Sequence, residues 1–266
     1  MIQQIFNEQD LPMADLEKIG LAKNGVLNMD EDDLKALLSG RRTAMLRLEN
    51  LNTDGLHIPS LDAKLSLKPN DKGTLDLLVH PIYREAEYPT YLTDTEAEML
   101  EKGDVVNMQK MIFDGEGNPK EILIEFDKDT NEFIITDTEK ILAPDFINNE
   151  PLTAEQKERY RKGKDVETGD GTTIRYSGTE SKGIHSNKLA LIASILIDGG
   201  ISYMLFKGLH AAFGQKQDEK DAALMSKGYK QALQDMKKQE KTKGSPLNNH
   251  FENEPGNMYS GTESSR

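Results

Sequence analysis

Any chemistry in this chain must come from histidine, acidic, basic and hydroxyl side chains, because it contains no cysteine. That removes a thiol nucleophile, a Cys-ligated zinc and a disulfide framework. Of the five histidines, His57, His80, His185, His210 and His250, no two lie within four residues, so no helical metal pair exists. His80 precedes Pro81 at the end of an expected strand and reads as structural. Asp127-Lys-Asp129-Thr-Asn131-Glu132 begins like a calcium loop. Glu132 stands where that loop needs a glycine, and Thr138 where it needs a bidentate glutamate, so a hairpin turn is the better reading. No phosphate-cradling glycine loop and no nucleophile elbow is present. The expectation is a non-enzymatic protein with no catalytic, cofactor-binding or metal-ligating residues. What remains are cationic docking candidates. Arg41 and Arg42 follow Gly40 directly. Arg159, Arg161, Lys162 and Lys164, with Lys157, make one helix basic. The choice is between a solvated face and a surface for an acidic partner, lipid head groups or nucleic acid.

The charge balance bears on that choice. The chain of 266 residues carries a net charge of −13, and residues 1–150 hold 31 acidic against 15 basic side chains. Such a half repels phosphate backbones, so direct nucleic-acid binding through it is disfavoured; the same charge also serves solubility. Met1 leads into IQQIFNEQDLP, with neither a basic nor an apolar leader region, so a secretory signal is not expected.

A repeat positions the candidates. LTDTEAEMLEKG at 92–103 and LTAEQKERYRKG at 152–163 share Leu-Thr and Lys-Gly at the same offsets, 60 residues apart, and MDEDDLKALLSG at 29–40 is a weaker third copy. Each reads as a short capped helix. Thr93 with Glu96 and Thr153 with Gln156 fit the capping box, and Asp30 with Asp33 is a poorer version. Leu37, Leu100 and Tyr160 share one inward offset, and Gly40, Gly103 and Gly163 sit where a left-handed terminator belongs. Alternating runs and turn residues after each helix predict antiparallel hairpins. After the third helix only one weak hairpin, around Gly169-Asp-Gly171, is expected. The fold class is thus α+β, with repeated short-helix plus antiparallel hairpin or meander modules at 10–90, 91–150 and, truncated, 151–186.

LTxEQ followed by GK and a hairpin resembles repeated domains of unknown function from Bacteroidetes, frequent in proteins of conjugative transposons and related mobile elements. LLSGRRT at 37–43, DAKLSL at 62–67 and LLVHPIYRE at 77–85 resemble a second such domain that usually precedes the first. The resemblance covers about residues 10–185 and extends into SNKLALIASILIDGG at 186–200. Some relatives are fused to, or encoded beside, DNA-processing proteins such as type IA topoisomerases. It implies no catalytic residue.

The longest apolar run, 189–213 within a segment 187–213, has three readings. It spans or inserts into a membrane, it forms a buried helical hairpin bent at Asp198-Gly-Gly200, or it is a helix docked on a partner. Asp198 at mid-segment costs about 2.5–3.5 kcal/mol on insertion scales and weakens the first. Because the run begins where the third module would complete its sheet, it could also replace missing strands. A charged helix is expected at 214–243 and a disordered tail at 244–266. YSGTES occurs at 176–181 and again at 259–264, read either as a duplicated linker or as two segments sharing one binding surface. The functional expectation is an interaction or scaffold protein of a bacterial mobile element, in the cytoplasm or attached to the inner membrane, with a protein partner. The alternative is an accessory to DNA processing, or an acidic DNA mimic.

Overall fold

Asn24-Gly25 is a residue pair that accepts two successive left-handed conformations, as a two-residue hairpin demands. It does so here, with φ of 51° and 75°. The computed structural model describes residues 5–53, 56–188, 190–197, 200–207 and 227–242. It opens with α1 (Met13–Lys18) and the hairpin of β1 (Ala22–Lys23) and β2 (Val26–Leu27). Helix α2 (Glu31–Leu38) follows, capped by the Asp30 carboxylate, which accepts from Asp32 N at 2.8 Å. Asp33 does not reach back to the cap. It is buried and accepts from Ala44 N at 2.8 Å, holding the exit of the helix. Strands β3 (Leu46–Thr53), β4 (Leu56–Pro69) and β5 (Leu75–Pro81) form an antiparallel meander. Ala63, Leu65 and Leu67 of β4 pack with Leu16, Leu37, Leu38 and Leu48. The period of two leaves Lys64 and Ser66 on the opposite face, with His80 paired across from Lys64.

The same plan follows twice. Helix α3 (Asp94–Lys102) has a full capping box between Thr93 and Glu96 and ends on Gly103 at φ 80°. Strands β6 (Met108–Phe113), β7 (Pro119–Asp127) and β8 (Glu132–Asp137) make the second meander. A short hairpin comes next, β9 (Phe146–Ile147) and β10 (Glu150–Pro151), turned by Asn148 and Asn149, both left-handed. Helix α4 (Ala154–Arg161) has its capping box between Thr153 and Gln156. Gly163 after it is left-handed, and a Cβ there would stand 2.8 Å from Asn107 Nδ2 and 2.9 Å from Leu123 Cδ2. The third sheet has three strands, β11 (Val166–Glu167), β12 (Thr173–Tyr176) and β13 (Ile184–Ser186). The expected single hairpin was too few, since β13 is a three-residue strand with no alternation to announce it. Leu37, Leu100 and Tyr160 are all buried.

The apolar run is corrected most. It is not helical. Strands β14 (Ala190–Ile197) and β15 (Gly200–Lys207) pair antiparallel, and β14 also pairs with β9, giving the order β10-β9-β14-β15. The membrane-spanning helix, the bent helical hairpin and the docking helix all give way to a β-hairpin. A short apolar run buried on both faces has the same periodicity signature as a buried helix. Here β-branched Ile192, Ile195, Ile197 and Ile201 favour the strand. Leu191 and Ala193 enter the core that holds Tyr160. Ala190 and Ile192 face the C-terminal helix α5 (Lys227–Thr242) through Tyr229 and Ala232. Among the described residues, no helix is long and apolar enough to cross a membrane. Asp198, the part of the charged helix before 227, the tail from 244 and the second YSGTES lie outside the described residues.

Candidate functional site

The site begins with the alternation of β7. Ile122, Ile124 and Phe126 point one way, into the core that holds Leu100 of α3. Leu123, Glu125 and Asp127 point the other way, toward the first and third sheets. Leu123 joins the Tyr160 core, and the two carboxylates are buried with it. Buried carboxylates require partners, and both have them.

Asp127 takes Lys64 of β4, whose Nζ stands 2.9 Å from both carboxylate oxygens. Lys64 also lies 2.9 Å from Asp129 Oδ2 and donates to the Thr179 carbonyl at 3.2 Å. Arg42 donates from Nη1 to Glu132 Oε2 at 2.8 Å and to Thr130 Oγ1 at 3.2 Å, and it lies 3.6 Å from Asp127 Oδ2. His80 completes the cluster, Nδ1 to Glu132 at 3.3 Å and Nε2 to Ser66 Oγ at 2.8 Å. Its pKa lies below the ordinary value because of burial and then the neighbouring Arg42, with Glu132 opposing. The would-be calcium turn is therefore an ion-paired junction between the first and second sheets. Among the described residues, no three histidine or acidic side chains converge as a metal site.

Glu125 takes the first YSGTES. Its oxygens accept from Ser177 Oγ at 2.9 Å and Gly178 N at 2.6 Å. Burial nevertheless pushes its pKa up to about 7, against the hydrogen bonds from Gly178 and Ser177 and the nearby Arg175, and with Glu180 adding to the rise. All six residues of the segment are engaged. The Tyr176 ring meets that of Tyr160 edge-on, at 6.1 Å. A Cβ on Gly178 would stand 3.1 Å from the Glu125 carboxylate and 3.2 Å from Thr136. Thr179 Oγ1 bonds Ser177 Oγ at 2.9 Å, and Glu180 bonds His185 Nδ1 at 2.6 Å. The Ser181 carbonyl accepts from Arg41 Nε at 2.9 Å. The segment is a clasp that ties three sheets together.

Beside the clasp opens a cleft of about 510 Å³. Its cationic lining is Arg41, Arg42, Lys120, Lys140 and Lys182, against one carboxylate, Asp137. Its apolar lining includes Ile112, Phe133, Ile134, Ile135, Leu142, Pro144, Ile184 and Ile195. In a chain of net charge −13, a basic cleft is a local reversal of sign. Three cations are already paired: Arg42 as above, Lys120 with Asp137 at 3.0 Å, and Lys182 with Asp32 at 3.2 Å. Arg41 and Lys140 have no ion pair among the described residues. Burial lowers the pKa of Arg41, against the pull of Tyr176 and Tyr160.

Of the residues singled out from sequence, the cleft gathers Arg41 and Arg42. The basic helix does not join them. Arg159 donates to the Asp165 carbonyl, Arg161 pairs with Glu158, and Lys162 lies between Glu158 and Glu121, while Lys164 is exposed. Sequence reasoning missed Lys64, Glu125 and Lys140. The duplicated hexapeptide marks the clasp segment, but Glu125 alternates with Ile124 and Phe126 and so reads from sequence as the solvent face of a strand, and Asp127 reads as part of a turn. Lys140 carries no signal in the sequence, because only the folded chain brings it into the cleft that Arg41 lines.

Searches of curated proteins and of solved structures find no match. A family model described as "Protein of unknown function (DUF4099)" matches residues 6–90, which take in α1, α2 and the first meander. Residues 6–90 are thus a DUF4099 domain, of unknown function, and they supply Arg41, Arg42, Lys64 and His80 to the junction.

Proposed function

We propose that this chain is a non-enzymatic interaction or scaffold protein, built from three copies of one helix-plus-meander unit, and that the cleft beside the clasp receives a protein partner. The observation that carries the reading is the cleft itself. It is partly apolar and net basic, within an acidic chain, and two of its cations have no carboxylate partner among the described residues. The repeat is supported by Leu37, Leu100 and Tyr160, buried at one offset, and by Gly40, Gly103 and Gly163, all left-handed at another. The motif resemblance supports a setting in a bacterial mobile element.

The test places a photo-crosslinking residue at Leu142, which is 41% exposed at the cleft, and a control at Val26, 68% exposed on the β1–β2 hairpin. A specific adduct at 142, absent at 26, is expected in cells of the native host, and the captured protein should bind the purified chain directly. Adducts that are the same at both positions, or absent, defeat the reading. A captured DNA-processing protein turns it toward the accessory role.

A further inference from the structure

We infer that the cleft recognises a polypeptide segment carrying a carboxylate beside large apolar side chains, with Arg41 and Lys140 holding the carboxylate. The inference deepens the interaction reading above and rests on it. The argument starts from supply and demand of charge. Three of the five cleft cations have their carboxylate within the chain, and Arg41 and Lys140 have none among the described residues. Among the described residues Arg41 uses Nε alone, on the Ser181 carbonyl, which leaves the two terminal nitrogens of its fork to a ligand. It is also packed against Gly183, where a Cβ would stand 2.9 Å from Arg41 Cδ, so the side chain is held in place before any ligand arrives. A half-buried guanidinium without an anion is the group that gains most from one.

The other half of the cleft selects the body of the ligand. Ile135 and Leu142 are 43% and 41% exposed at its rim, and covering them is favourable at about 25 cal/mol per Å². A bare phosphate would satisfy the cations and leave this shelf wet. A nucleic acid would satisfy them too, but it would bring its remaining charges against a chain of net charge −13. One or two carboxylates on an apolar peptide meet both demands.

Fluorescence polarisation on the full chain tests this. One probe is a labelled, end-capped peptide alternating glutamate and leucine; the other has glutamine at each glutamate. The glutamate peptide should bind at least about tenfold tighter, and Arg41→Gln and Lys140→Gln should each erase most of that advantage. Lys140 is exposed, so its variant reports on binding without a folding defect. Equal affinity for the two peptides, or full retention of the preference in Lys140→Gln, overturns the inference. Binding of neither peptide also overturns it, yet leaves the crosslinking result at Leu142 standing. Displacement by equimolar inorganic phosphate reassigns the cleft to a bare anion and overturns it. So does equal competition from a synthetic peptide of residues 244–266, which would put the chain's own C-terminal residues in the cleft.

Discussion

Glu125 joins packing to titration. Its carboxyl is buried between β7 and the clasp, with a pKa near 7 in place of 4.5. A carboxyl with a raised folded-state value binds its proton more tightly in the folded chain than in the unfolded one. Its contribution to stability is therefore complete below about pH 4.5 and is lost as pH rises through 7. The shift corresponds to roughly 3 kcal/mol. Glu125→Gln should remove that slope. Urea denaturation at pH 5 and pH 8 should show the wild-type chain losing stability between the two, from this group, and the variant losing less. Parallel slopes would mean that Glu125 is ionised in the folded protein and fully served by Gly178 N and Ser177 Oγ. Lys64 and Asp127 differ in kind: each buried charge has an opposite charge at 2.9 Å.

At the scale of elements, the helices were legible and the last hairpin was not. Short helices declare themselves at their ends. Thr93 with Glu96 and Thr153 with Gln156 form the boxes that their spacing predicts, because a cap depends on four consecutive residues and little else. Thr153→Ala should cost about 1 kcal/mol of stability, read as a lower midpoint in chemical denaturation with an unchanged slope; no loss would show that α4 is held by Tyr160 alone. Strands are less local. β14 is buried on both faces, against Leu191's core on one side and Tyr229 on the other, so it lacks the alternation that marks a half-exposed strand. Asp198-Gly199-Gly200 reads equally as a bend between helices and as a hairpin sequence, and Asn24-Gly25 is a hairpin pair by type. The cleft had the least sequence signal of all, since Arg41 and Lys140 lie about 100 residues apart and share no motif.

At the scale of the whole molecule, the described residues form four separate apolar cores. The core under α5 is built from Ala190, Ile192, Tyr229 and Ala232 with Leu233 and Met236 beside them. Tyr229→Ala should remove about 3 kcal/mol from it. Hydrogen exchange should then show α5 opening while the β4 amides around Leu65 keep their protection. Simultaneous opening would show that the cores unfold as one unit.

The clasp also sets a timetable. Glu125 lies 53 residues ahead of Gly178, and Arg41 lies 140 ahead of Ser181. At 5–20 residues per second, a ribosome delivers Gly178 roughly 3 to 10 seconds after Glu125. For that interval the inner face of β7 faces water without its cover. An apolar residue at 125 or 127 would offer passing nascent chains a sticky strand. A carboxylate at 125 keeps the unfinished strand from its neighbours until Ser177 and Gly178 arrive to bury it, whereas the partner of Asp127, Lys64, is made before it.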